Sequence, residues 1–357
     1  MCGIGVAAGL AVGLALLGGC NTGGGTLSGT GGGGIINIGG STGSTFVTPT
    51  GSGGVSAGGC GTRVAATNVP PDVLIVLDTS TSMNDPIDGP CETGCGARSK
   101  WAASVAAINS VVDATSTAVN WGLAFMGRTD DVCEASGVEA LLGASGNVVQ
   151  QALASRTNGG VLAVGTNRPT RAAVMLATAY LSGRQPGRPK VILLIADGTP
   201  ACKPGAADAD DGAGAIRAVT DASVAVSTFV IGLATTGGPA DATLREMAVA
   251  GDPLAAMSTY FPAAASAGIV DAMNAVVGMT AACTFAVPPP PTNDGTTSRG
   301  DIRVTTDQGA IPQDATNGWR YTDNWLMAIQ LRGSACDAVR NGTIKTIAIT
   351  FECPHGN

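Results

Sequence analysis

Histidine is almost missing: the chain of 357 residues has one, His355. A Ser-His-Asp hydrolase core has no base to build on, and a zinc site has no imidazole to draw in. Charge is scarce as well, at 13% of residues, with 19 Lys and Arg against 26 Asp and Glu and a net charge of −7. Binding nucleic acid requires clustered basic side chains to neutralise phosphates, so no nucleic acid partner is expected. None of the cysteines is spaced as Cys-x-x-Cys, which removes the usual paired ligands of zinc and leaves disulfides as the reading. What is abundant is apolar residue, 45% of the chain, ample for a large core.

No charge occurs before Arg63, and the first twenty residues, "MCGIGVAAGLAVGLALLGGC", form an apolar run ending in small residues, the composition of an export signal. Leu17-Gly18-Gly19-Cys20 resembles a bacterial lipobox, which implies a signal peptide over 1–20 and lipid attachment at Cys20. The expected location is therefore the bacterial cell envelope, lipid-anchored, or else a secreted state. Asn21 rather than Asp follows Cys20, which favours the outer membrane. Residues 21–66 are mostly Gly, Ser and Thr and read as a flexible tether, about 40 Å across as a random coil. Of 10 cysteines, setting aside Cys2 and Cys20 leaves eight, an even number suited to an oxidising compartment.

Beyond the tether, apolar strands alternate with helical patterns. "DVLIVLD" (72–78) and "KVILLIADG" (190–198) are continuous apolar runs of the kind buried on both faces of a sheet. "SKWAASVAAINSVVDAT" sets Trp101, Val105, Ile108 and Val112 at helical spacing, and strands and helices then alternate to a closing helix at 267–281. This order predicts an α/β fold over 67–282, a doubly wound and mostly parallel sheet with helices on both faces. A proline-rich spacer is expected at 283–300, then a small β region at 301–357 stapled by a disulfide.

Both strong strands end in aspartate, Asp78 in "LDTSTS" and Asp197 in "IADGTP". Ser80 and Ser82 follow Asp78 at a two-residue period, so their side chains can converge at the carboxyl edge of the sheet. One or two carboxylates with two hydroxyls make an oxygen-only site of low charge, which suits Mg²⁺ or another hard cation. Alone, Asp-x-Ser-x-Ser also suits a helix cap or a turn. The strand-Asp-x-Ser-x-Ser pattern followed by strand-Ala-Asp-Gly resembles the von Willebrand factor type A domain and its metal ion-dependent adhesion site. The resemblance covers about residues 67–282, and the tail from Cys283 is similar to an extension on bacterial secreted proteins of that family.

The resemblance implies a metal site of Asp78, Ser80, Ser82, Asp197 and Thr166 holding Mg²⁺, with Mn²⁺ or Ca²⁺ as substitutes. The loop "GTNRPTRAAVMLA" departs from the family pattern, because an ungapped alignment puts Arg168 where a metal-contacting threonine belongs. A guanidinium repels a cation, so either Arg168 points to solvent or it fills the site, pairs with Asp78 and Asp197, and leaves no ion there. The implied activity is binding rather than catalysis. A monomer on a membrane anchor is expected to take a protein or glycan partner whose carboxylate caps the ion, or, with Arg168 in place, to be a structural envelope protein. Phosphotransferases of the haloacid dehalogenase kind also carry a strand-end aspartate, but they need a second Asp two residues on, where this chain has Ser80. Expected disulfides are Cys133–Cys202, Cys60–Cys283, Cys91–Cys95 and Cys336–Cys353.

Overall fold

The computed structural model describes residues 63–91, 95–130, 133–158, 161–162, 167–202, 212–252, 259–290 and 298–352. The signal, Cys20, nearly all of the tether and Thr166 lie outside them. Strand β1 is Arg63–Ala65 and β2 is Asp72–Leu77. There follow α1 (Lys100–Thr115), β3 (Asn120–Phe125), β4 (Gly137–Ala140) and α2 (Gly146–Ser155). Next come β5 (Thr157–Asn158), β6 (Val161–Leu162), α3 (Thr170–Ser182), β7 (Lys190–Ala196) and α4 (Gly212–Ala222). The series continues with β8 (Ser227–Leu233), α5 (Pro239–Gly251), β9 (Tyr260–Ala263) and α6 (Ser266–Thr280).

These elements build a six-stranded sheet in the order β4-β3-β2-β7-β8-β9. All neighbours run parallel except β4, which pairs antiparallel with β3 at the edge. The architecture is thus the α/β class expected from the strand and helix alternation. Every residue of β2 is buried, because successive side chains go to opposite faces and both faces are covered. Val73, Ile75 and Leu77 join α1, α2 and α6 in one core, and Leu74 and Val76 join α3, α4 and α5 in the other. Trp101, Ile108 and Val112 are buried as the helical spacing predicts, while Val105 packs at the margin. Ser99 starts α1 by accepting a 3.0 Å hydrogen bond from the Ala102 amide, satisfying one of the helix's unpaired donors.

The remaining elements are β10 (Thr284–Ala286), β11 (Ile302–Thr306), β12 (Gly309–Ile311), β13 (Trp319–Tyr321), β14 (Ala328–Leu331), α7 (Ser334–Arg340) and β15 (Ile347–Phe351). They form one sheet ordered β1-β15-β11-β12 and another ordered β10-β14-β13, around a core that includes Phe285, Val304, Trp319, Leu331, Ile349 and Phe351. Two boundaries differ from the sequence expectation. Arg63–Ala65, inside the stretch read as tether, is a strand because it pairs with β15. Thr284–Ala286, inside the stretch read as spacer, is a strand because it pairs with β14 ahead of the prolines.

Three disulfides are described. Cys91–Cys95 and Cys133–Cys202 form as expected. Cys283 bonds Cys336, with Cα atoms 5.4 Å apart, so neither Cys60–Cys283 nor Cys336–Cys353 exists. Packing decides this: Cys283, entering β10, and Cys336, on α7, are both fully buried in the same small core.

A buried ion pair links that small core to the larger one. Arg332 Nη2 donates to both carboxylate oxygens of Asp252, each at 2.6 Å, and both side chains are at most 3% exposed. Arg332→Ala would leave Asp252 charged, buried and unpaired, so it is expected to lower the free energy of urea unfolding by about 3–5 kcal/mol. A loss below about 1 kcal/mol would show that the pair does not hold the two parts together.

Candidate functional site

Parallel pairing brings the two aspartates together. β2 and β7 run in register, with Leu77 facing Ile195, and the Asp78 amide extends the ladder with a 2.9 Å bond to the Ile195 carbonyl. Asp78 and Asp197 therefore leave adjacent strands at the same edge. Their side chains are 1% and 0% exposed.

Beyond Asp78 the chain curls back on the carboxylate: the Ser80 amide donates to Asp78 Oδ1 at 2.8 Å. Thr79 ties this turn to the end of β3 through its hydroxyl, which donates to the Gly127 carbonyl and accepts from the Gly127 amide. Ser80 also precedes a single 3₁₀ turn, Thr81–Asn84, but its hydroxyl makes no capping bond there. Ser80 Oγ and Ser82 Oγ lie 3.2 Å apart. The structure thus brings the side chains of Asp78, Ser80, Ser82 and Asp197 together.

Arg168 occupies the point on which they converge. Its Nε donates to Ser80 Oγ at 3.0 Å and its Nη2 to Ser82 Oγ at 2.5 Å. The same atoms lie 3.5 Å from Asp78 Oδ2 and from Asp197 Oδ1. The backbone of Arg168 is fixed by two hydrogen bonds with Ala201, at 3.1 and 3.2 Å, in the loop that follows β7. Gly198 makes room: a Cβ there would fall 2.6 Å from the guanidinium carbon. Of the two positions open to Arg168 in the sequence, the structure has the one inside the site.

Lys100 is the residue that sequence reasoning missed. Its Nζ meets Asp197 Oδ2 at 2.9 Å, and its side chain is only 12% exposed. A signal was present: a lysine opening α1 sits at the positive end of the helix dipole, where a cation is disfavoured unless an acid faces it.

The site is charge-balanced by side chains alone, two carboxylates against Arg168 and Lys100. A divalent cation fits this donor set badly, since it would have to enter against a guanidinium already seated between the carboxylates and bonded to both hydroxyls. Asp78 Oδ2 and Asp197 Oδ1 are buried without a hydrogen bond, so their attraction to Arg168 is coulombic. Burial, then the neighbouring Asp197 charge, raises the Asp78 pKa from 3.8 to about 6, against the opposing pull of Arg168 and of the Ser80 bonds.

No family model matches the chain, and no curated protein does. Solved structures similar to it include the PilB minor pilin from Streptococcus sanguinis, with TM-score 0.42 and 14% identity over 59% of this chain and 61% of that one. The pilus adhesin SpaC from Lactobacillus rhamnosus GG matches with TM-score 0.42 and 13% identity, over 80% of this chain and 40% of that one. A von Willebrand factor type A protein from Catenulispora acidiphila matches with TM-score 0.40 and 12% identity, over 83% of this chain and 61% of that one. The chain thus spans less than two thirds of each of these three.

Folded Asp78 titrates at about 6 rather than 3.8, so between those values the native state holds the extra proton and stability falls as pH rises. Above that window the contribution is constant. Asp78→Asn removes the titrating group, and wild type should lose melting temperature relative to this variant from about pH 4 to about pH 6. Parallel profiles would show that Asp78 does not titrate there.

Proposed function

We propose that the chain is a non-catalytic binding module of the cell envelope that takes a protein or glycan partner at the carboxyl edge of its six-stranded sheet. Arg168 stands where the type A family holds its cation. The observation that carries this reading is the guanidinium seated between Asp78 and Asp197 while bonded to Ser80 and Ser82. Its side chain is 20% exposed, so a partner's carboxylate can meet the guanidinium from solvent, in place of capping a metal ion. Binding would then need no Mg²⁺, Mn²⁺ or Ca²⁺.

Disulfides on two loops near this edge support an oxidising location, in keeping with export and lipid attachment at Cys20. Among the described residues no helix is long and apolar enough to cross a membrane. Membrane attachment on this reading comes through the lipid, and the molecule acts as a monomer.

Thermal melts in excess Mg²⁺ or Mn²⁺ and in EDTA test the proposal, since a ligand selective for the native state must stabilise it. The wild-type melting temperature should be the same in all three. Arg168→Thr clears the guanidinium and supplies a hydroxyl, and this variant should gain a Mg²⁺-dependent rise. A rise in wild type would instead assign the cation to Asp78, Ser80, Ser82, Asp197 and Thr166, with Arg168 displaced. Recovery of a partner from native envelope should resist EDTA and fall with Arg168→Ala.

A further inference from the structure

Of the large apolar side chains exposed among the described residues, none lies at the carboxyl edge of the six-stranded sheet, and all but Met175 lie toward the opposite, amino edge. Scattered singly, such residues need no explanation, but gathered at one end they mark a surface. Trp325 is the largest, 71% exposed, whereas Trp101, Trp121 and Trp319 are at most 2% exposed. It stands on the turn between β13 and β14, which packs on the loop between α3 and β7. Asp323 Oδ2 accepts from the Gly187 amide at 2.6 Å, and a Cβ on Gly187 would fall 2.9 Å from Met327 Cβ. Leu326 on this turn has φ of 56°, a costly conformation for a branched residue, which persists only where its surroundings fix it. Asp323 Oδ1 helps to fix it by accepting from the Trp325 amide at 2.7 Å.

The loop under this turn carries Arg184, Arg188 and Lys190. No Asp or Glu occurs between Glu139 and Asp197, so this side is locally cationic in a chain of net charge −7. Arg188 Nη1 donates to the Pro70 carbonyl at 3.1 Å and the Asp72 amide to the Pro189 carbonyl at 2.8 Å, so the segment leading into β2 enters the sheet against this loop. The Arg184 guanidinium lies 5.5 Å over the Tyr180 ring, and the Tyr180 hydroxyl accepts from the Leu142 amide, which brings exposed Leu141 to the same side. Of the acids here, Asp323 is taken up by the amides of Gly187 and Trp325, and Asp301 is bonded to Ser298. Asp221 and Glu246 accompany Val224 and Val249 instead, which leaves those valines out of the cationic side.

We propose that Trp325, Met327 and Leu141, with Arg184, Arg188 and Lys190, rest on an anionic phospholipid bilayer. An indole has an apolar body and a polar N–H and settles at headgroup level, while Lys and Arg are drawn to the negative surface. The contact leaves the Arg168 cluster, at the other edge of the sheet, facing away from the membrane. The inference shares with the proposed function only the envelope location, and it holds or fails independently of how Arg168 is read.

Acrylamide quenching of tryptophan fluorescence in the full exported chain tests it, since Trp325 alone of these four rings is open to an aqueous quencher. Vesicles of phosphatidylglycerol and phosphatidylethanolamine should cut that quenching several-fold, and brominated acyl chains should quench the ring in its place. Phosphatidylcholine vesicles, or the anionic vesicles in high salt, should leave it near its lipid-free value. Each cation close to such a surface contributes about fivefold in partitioning, so Arg184→Gln with Lys190→Gln should need at least about tenfold more lipid for the same shielding. A Trp325 as accessible with anionic vesicles as without them overturns the proposal. Equal shielding by phosphatidylcholine does so too, as does shielding without lipid that grows with protein concentration, the mark of a second copy. The readout is the ring itself, so an acyl group on Cys20 does not produce the result, and the wild-type comparison decides even where the double variant fails to fold.

Discussion

Two carboxylates emerge side by side from adjacent parallel strands and are taken out of water, and the upper edge of the sheet is organised around that cost. Left unpaired, Asp78 and Asp197 would repel each other and lose their hydration. Lys100 meets one oxygen of Asp197, and Arg168 lies between the two acids. The surroundings serve this arrangement: backbone bonds to Ala201 fix the base of Arg168, and Gly198 has no Cβ to obstruct the guanidinium. An arginine suits the position because its planar, permanently charged fork reaches hydroxyls and carboxylates together.

On the reading proposed above, this edge is where a partner would bind. The acids and hydroxyls point inward at Arg168, whose remaining exposure faces solvent. Around it lie loops cross-linked by Cys91–Cys95 and Cys133–Cys202, the second tying the segment after β3 to the segment after β7. A loop held in one shape loses less entropy on binding than a free one.

The small β region is assembled from distant parts of the chain. β1 comes from before the large sheet and β10 to β15 from after it, so segments on either side of that sheet in sequence meet in the small region. Arg332 reaches from this region to Asp252 at the end of α5, and Cys283–Cys336 fixes the exit from α6. Such a core is thin, and cross-links compensate for limited apolar burial.

Much of this was legible in the sequence, and the reason is local. The apolar runs at 73–77 and 191–196 suit doubly buried strands, and parallel strands end at a common edge, which brings Asp78, Ser80, Ser82 and Asp197 to one rim. The resemblance to the type A pattern also implied that Arg168 lies in the loop facing them. It left open where that side chain points, since the answer depends on Gly198 and Ala201 in the loop after β7 and on Lys100 at the start of α1, segments distant from Arg168 in sequence. Of the expected disulfides Cys91–Cys95 and Cys133–Cys202 form, but Cys283 takes Cys336, because composition supplies the thiols and only packing determines which two share a core. Periodicity along one strand or helix is written in neighbouring residues, whereas charge balance and cross-links are settled by segments that meet only after folding.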